Sequence, residues 1–282
     1  MLKLFLFLSI LVTCGCEKLS FSIANAPVFY TEKQIKRDIV YSLESSATMD
    51  IYYPDEYSKP LPVILFIYGG NWQRGDKDSY AFVASNFTQR GFAVAIADYR
   101  KYPEVKFPAF VQDMADATVY LHRYATDLNL DQNRLFILGH SAGAHIGALV
   151  ATDPFYMKNA GGNRDWIKAF AGLAGPYAFI PEEKDLQDIF GPPERYDLMQ
   201  VPTFIDGKQP KMLLLQGRED KVVGLFNLEK LEKAIRQKGG VVQTKIYPGL
   251  DHVGIVGALS WVYRNKANVA DEVTEFFDDK NR

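Results

Sequence analysis

From Ile39 onward, short and nearly continuous apolar runs alternate with longer segments whose apolar residues recur at helical spacing. The runs are "PVILFIY" (62–68), "FAVAIAD" (92–98), "RLFILG" (134–139), "AFAGLAG" (169–175) and "KMLLLQG" (211–217). Strands read this way when helices cover both faces of a parallel sheet. "VVQTKIY" (241–247) alternates more and suits an edge strand, while "RDIVYSL" and "ATMDIYYP" suit an opening antiparallel pair. A helix is predicted from Pro108, with Phe110, Met114, Ala117, Leu121, Tyr124 and Leu128 on one apolar face. A second runs from about Val223 to Lys238, where Gly239-Gly240 supply a left-handed stop. The last covers most of Ala258 to Asp279. Such alternation predicts an α/β fold, a doubly wound and mostly parallel sheet. A polar, Pro-rich excursion at 176–209 is long enough to cover a pocket as a small cap insertion.

In such sheets ligands gather at the carboxyl ends of the strands. Ser141 sits there, between the run 134–139 and an Ala- and Gly-rich segment that reads as a helix. Gly139-His140-Ser141-Ala142-Gly143 satisfies G-x-S-x-G, the nucleophile elbow. A side chain at either glycine would collide with a neighbouring strand or helix, and the sharp turn pushes the hydroxyl into open space. The turn also puts the N–H of Ala142 at a helix start, where an oxyanion is stabilised.

A serine hydroxyl needs a base. The chain has four histidines. His122 flanks the apolar face of the helix after Pro108 and reads as a solvated surface residue; His140 lies within the elbow and reads as packing. His145, four residues after Ser141, is the rival base. His252, in the loop after the last strand, faces the same crevice as Ser141 and is the preferred base. Asp220, in the loop after "KMLLLQG", is the preferred acid to orient that imidazole. Glu219 ranks next, then Asp206 in the cap. Asp251 adjoins His252 and could scarcely reach its ring.

Composition narrows the function classes. With 48% hydrophobic and 23% charged residues, the 282-residue chain can bury a substantial core. A net charge of −2 and the lack of any Lys/Arg block argue against nucleic acid as a partner. No H-E-x-x-H or dinucleotide fingerprint occurs, so no metal and no cofactor is expected. The N-terminus stands apart: Lys3 precedes an apolar stretch to Val12, short of the roughly 20 residues that span a bilayer but suited to a secretory signal. "TCGC" after it resembles the lipobox of bacterial lipoproteins, with Cys16 as the lipidated residue and Cys14 as the alternative. The resemblance implies an exported protein of the periplasm or cell envelope that meets the membrane only through this anchor. Both cysteines lie here, so no disulfide braces the body. The expected organisation is a signal and lipobox at 1–16, a linker at 17–36 and a catalytic domain at 37–282.

The order Ser141, Asp220, His252 is that of the α/β-hydrolases, and the chain resembles that superfamily from its opening strands to its C-terminus. "FIYGGNW" (66–72) resembles the H-G-G-x-W oxyanion motif of the esterase branch related to hormone-sensitive lipase, acetyl-xylan and feruloyl esterases, and kynurenine formamidase. By that resemblance the N–H groups of Gly70 and Asn71 join that of Ala142 around the oxyanion. Tyr68 stands where the family has histidine, which implies altered support of the loop. "DYRKYPEVKFPAFVQD" (98–113) resembles small bacterial esterases and isoprenylcysteine methylesterase-like proteins, with Asp98 and Arg100 as structural residues. The resemblance implies hydrolysis of a small-molecule ester through an acyl-enzyme. An arylformamidase with the same triad and a non-catalytic binding protein on this fold are the alternatives. Acyl and alcohol specificity and oligomeric state are not legible in the residues.

Overall fold

A computed structural model describes residues 21–26 and 34–278. The apolar leader, Cys14 and Cys16 lie outside the described residues. The apolar runs become strands β1 (Ile35–Val40), β2 (Thr48–Tyr52), β3 (Leu61–Ile67), β4 (Ala93–Ala97), β5 (Leu130–His140), β6 (Ile167–Leu173), β7 (Lys211–Gly217) and β8 (Val242–Tyr247). They form one sheet in the order β1-β2-β4-β3-β5-β6-β7-β8. β2 runs antiparallel to both β1 and β4, and all later pairings are parallel. β3 and β4 are buried along their whole length, because helices cover both faces. β8, with its alternating sequence, is an edge.

The chain goes to one side of β3 for β4 and crosses back to the other side for β5. That reversal opens a crevice beyond the carboxyl end of β3, the place where doubly wound sheets bind ligands. The residues just beyond β3 and β5 are therefore set beside each other by topology.

The helices that position the site are α1 (Ala81–Thr88), α2 (Ala109–Arg123), α3 (Ala142–Thr152), α4 (Pro154–Asn159), α5 (Lys184–Phe190), α6 (Phe226–Gln237), α7 (His252–Gly257) and α8 (Val269–Asp278). α3 is buried throughout, and its small residues let it lie close on the sheet: a Cβ at Gly147 would come 2.8 Å from Ile137 Cγ2. Gly239, at φ 73°, ends the α6 region in the left-handed conformation, as its position predicts.

Three expectations change. Pro108 is the N-cap of α2 and not its first residue, and the helix stops at Arg123, so Tyr124 is exposed and Leu128 packs from the loop beyond. α6 begins at Phe226, three residues later than the pattern suggests. The helix expected over most of 258–279 is confined to α8, and α7 precedes that span, where a loop was expected. Residues 258–268 between them form turns, where Ser260 Oγ donates to the Gly257 carbonyl at 2.6 Å and competes with helix continuation.

Within the stretch expected to be a linker, residues 21–26 pack on the body. Phe21 lies 5.0 Å from the Tyr80 ring, and Asn25 accepts from the N–H of Phe82 at 2.8 Å. The excursion 176–209 carries α5 and two 3-10 turns, and packs through Ile189, Phe190, Met199 and Val201.

Candidate active site

Strand β5 delivers Ser141 and α3 leaves it. Ser141 adopts φ 54° and ψ −123°, a sparsely populated conformation for a residue with a side chain. Its N–H donates to the Leu173 carbonyl of β6 at 2.9 Å, and its carbonyl accepts from Ala144 and His145 at 2.9 and 3.1 Å. These bonds hold the turn. The flanking glycines are required by space: a Cβ on Gly139 would sit 2.6 Å from Ala144 Cα, and one on Gly143 would sit 2.1 Å from the Ile67 carbonyl oxygen.

The histidine arrives on the loop after β8. Asp251, the poor alternative for the ring, caps α7 by accepting from the Gly254 N–H at 2.7 Å, so His252 opens the helix. The loops after β7 and β8 are laced together, with the Glu219 N–H donating to the Leu250 carbonyl at 3.0 Å. Gly217 permits that approach, since a Cβ there would lie 2.1 Å from the Leu250 oxygen. His252 Nε2 lies 2.9 Å from Ser141 Oγ, and its Nδ1 lies 2.9 Å from Asp220 Oδ2.

Asp220 is fully buried as a side chain. Its other oxygen accepts the N–H groups of Val222 and Val223 at 2.8 and 2.9 Å. Burial pushes the Asp220 carboxyl up. The His252 ring and the two backbone donors outweigh it and hold the group below the usual carboxylate range. The side chain is thus kept as an anion facing Nδ1. Glu219 is exposed, and Asp206 pairs with Arg164 at 2.9 Å, so neither competes for the ring.

Both other elbow-region histidines are engaged elsewhere through Nε2. His140 Nε2 donates to the His252 carbonyl at 3.0 Å, and burial, with His252 adding to it, pushes its pKa down to about 3. His145 Nε2 donates to the Met199 carbonyl at 2.8 Å, tying α3 to the segment 176–209, and burial pushes its pKa down to about 4. His122 is only partly solvated, because its ring stacks on Trp166 at 3.7 Å.

The loop after β3 runs alongside the serine. A Cβ on Gly69 would come 2.9 Å from Ser141 Cβ. Gly70, Asn71 and Trp72 all have positive φ, and the Gly70 carbonyl accepts from Gln73 and Arg74 at 3.0 Å each. At Gly70 a side chain is impossible, since its Cβ would lie 2.0 Å from the Arg74 oxygen. Among the described residues, no hydrogen bond uses the N–H of Gly70, Asn71 or Ala142 as donor.

Tyr68 supports this loop. Its hydroxyl donates to Asp98 Oδ1 at 2.5 Å and accepts from Lys101 Nζ at 3.0 Å, and its ring stacks between Tyr99 and Tyr80. Asp98 also accepts the Lys77 N–H at 3.0 Å, fixing the far end of the loop. Arg100 grips the buried Asp113 of α2 through two nitrogens. Trp72 forms a wall with the segment 176–209, stacked on Phe179 at 5.5 Å and edge-on to Phe190 at 4.9 Å. The His140 bond to the second loop was not legible in the sequence. Nor was the N-cap role of Asp251, because the sequence reads His252 as a loop residue and not as the start of a helix.

Residues 49–170 match the BD-FAE family. The chain is 30% identical over 254 residues to the isoprenylcysteine alpha-carbonyl methylesterase of Arabidopsis thaliana, covering 80% of this chain and 58% of that protein. It is 23% identical over 237 residues to the kynurenine formamidase of Drosophila melanogaster, covering 80% and 78%. The chain thus spans about three fifths of the length of the plant methylesterases it matches, 60% and 58%. A truncated carbohydrate esterase from gut microbiota superposes with a TM-score of 0.76 at 22% identity, over 88% of this chain and 96% of that one. The sheet order and this superposition give the chain the fold of that carbohydrate esterase, with residues 49–170 matching the BD-FAE family.

Proposed function

We propose that the chain is a serine carboxylic-ester hydrolase acting through Ser141, His252 and Asp220. One observation carries the reading: a single imidazole bridges a strained serine and a buried carboxylate at 2.9 Å on each side. His252 Nε2 takes the proton of Ser141 Oγ as that oxygen bonds to the ester carbonyl carbon. Asp220 accepts from Nδ1 and stabilises the imidazolium. The N–H groups of Gly70, Asn71 and Ala142 receive the oxyanion. His252 then gives its proton to the departing alkoxide as the C–O bond breaks, and water, deprotonated by the same ring, cleaves the acyl-enzyme. The segment 176–209 serves as the cap. Export and lipidation at Cys16 belong to the same proposal and rest on the apolar run to Val12 with the cysteines after it.

The test is a steady-state assay on p-nitrophenyl acetate. Ser141→Ala is expected to lose several orders of magnitude of kcat and to resist a fluorophosphonate probe that labels the parent chain. Near-normal turnover by that variant would sink the reading. The likeness to a protein named kynurenine formamidase favours one second reading, an arylformamidase using the same residues. N-formylkynurenine hydrolysed faster than aryl acetates would select it.

A further inference from the structure

The turns between α7 and α8 expose three large side chains in succession: Trp261 at 51%, Val262 at 41% and Tyr263 at 43%. Burying them within the chain was open to the fold, as it was for Phe276 and Phe277 nearby in sequence. Trp and Tyr pair an apolar ring with a polar edge, which suits them to the boundary between bilayer and water. Arg264 and Lys266 follow on the surface, and Lys266 Nζ lies 4.5 Å above the Tyr263 ring.

The segment 21–26 joins the same face. Trp261 Nε1 donates to the Ile23 carbonyl at 3.0 Å, and Ile23 itself is 46% exposed. Asn25 Nδ2 donates to the carbonyls of Asp78 and Ser79 at 3.2 and 3.0 Å, so the chain enters the body here and is held here. Cys16 precedes Phe21 by five residues in the sequence. Even fully extended, that stretch reaches at most about 18 Å.

We propose that the face formed by Ile23, Trp261, Val262 and Tyr263 docks on a lipid bilayer surface and holds the active-site mouth beside it. The inference rests on lipidation at Cys16 and on the hydrolase reading. A lipid on Cys16 keeps this face within about 18 Å of the headgroups, where Arg264 and Lys266 meet anionic lipid. The face is also coupled to the site. The Tyr263 ring lies against Gly257, 3.3 Å from where a Cβ would be, and α7 runs from Gly257 back to His252. That helix is about 9 Å long. Four half-exposed side chains fall well short of the roughly 800 Å² per partner of a standard interface, which favours a bilayer over a second copy.

The experiment uses the full chain on vesicles of phosphatidylethanolamine and phosphatidylglycerol doped with dibrominated phosphatidylcholine. Tryptophan emission is expected to be quenched, and the quenching to disappear in Trp261→Phe, since the remaining tryptophans are the buried Trp72 and Trp166, stacked on His122. Ile23→Ser with Val262→Ser should leave hydrolysis of p-nitrophenyl acetate unchanged and slow that of a vesicle-dissolved ester about tenfold. Quenching that survives Trp261→Phe, or is absent from vesicle-bound protein, overturns the inference. So does a dimer that Trp261→Phe dissolves. Turnover of the soluble ester without Trp261 quenching defeats this inference alone; quenching without Ser141-dependent turnover defeats the hydrolase reading instead.

Discussion

His140 Nε2 donates to the carbonyl of His252 across 3.0 Å, so the residue before the serine holds the backbone of the proposed base. The two residues are 112 positions apart in the chain. Both sides of the Ser141–His252 contact are thereby fixed to each other by a bond that leaves the reacting ring free. His140→Phe keeps a ring of similar shape and removes the donor. An ångström of misplacement at a reacting centre costs up to about a hundredfold. The expected outcome is a kcat lowered by about tenfold to a hundredfold with KM little changed and the elbow still labelled by a fluorophosphonate. Steady-state kinetics on p-nitrophenyl acetate checks it, and a shift confined to KM would count against a positioning role.

Tyr68 does for the proposed oxyanion loop what His140 does for the proposed base. Tyr68→Phe leaves the Asp98 carboxylate without its hydroxyl donor and Lys101 without one of its acceptors. Losing a hydrogen bond to a charged group costs about 1.5–3 kcal/mol, which should appear as a lower urea midpoint at unchanged slope. Because the loop carries Gly70 and Asn71, kcat should fall as well. A variant with parental stability and activity would show that the ring stack with Tyr80 and Tyr99 is sufficient.

The glycines make a sharper comparison. Gly143→Ala would drive a methyl to 2.1 Å from a backbone oxygen of β3, which neither strand nor helix can yield. At Gly249, with φ 76°, nothing lies within 4 Å of the added carbon, and the cost is backbone strain alone. Gly249→Ala is expected to lose about 1–2 kcal/mol. Gly143→Ala should exceed that clearly and fail to accumulate as folded protein. Chemical denaturation and soluble yield, measured side by side, rank the two.

The sheet was legible because its central strands are buried on both faces, which writes continuous apolar runs into the sequence. Ser141 was legible because a strained elbow demands glycine at fixed offsets. His252 and Asp220 followed from strand-end position. What stayed hidden depends on contacts distant in sequence. Nothing in "GHSAG" says that His140 reaches the loop after β8, and no periodicity marks where Ser260 breaks the expected C-terminal helix. Tyr68 was legible as a departure from a motif, but its partner Asp98 lies on the next strand's end.

His145 gives the acid limb of stability. Its ring is buried among Trp72, Phe179 and Phe190, and that burial, only partly offset by the bond to Met199, holds its folded-state pKa down at about 4. In the unfolded chain a histidine protonates near about 6.5. Between those values the unfolded chain binds the additional proton. The contribution to stability is therefore complete above about 6.5 and is lost as the pH falls toward the folded value. The slope from one such group is at most about 1.4 kcal/mol per pH unit. His140, held down at about 3, acts in the same direction over a wider window. His145→Gln retains a donor for the Met199 carbonyl and cannot titrate. Urea unfolding at a series of pH values below about 6 should show a slope shallower by about one proton in the variant, with some loss at neutral pH from the missing ring. An unchanged slope would mean that the ring is protonated in the folded protein, and that the segment 176–209 stands open over α3.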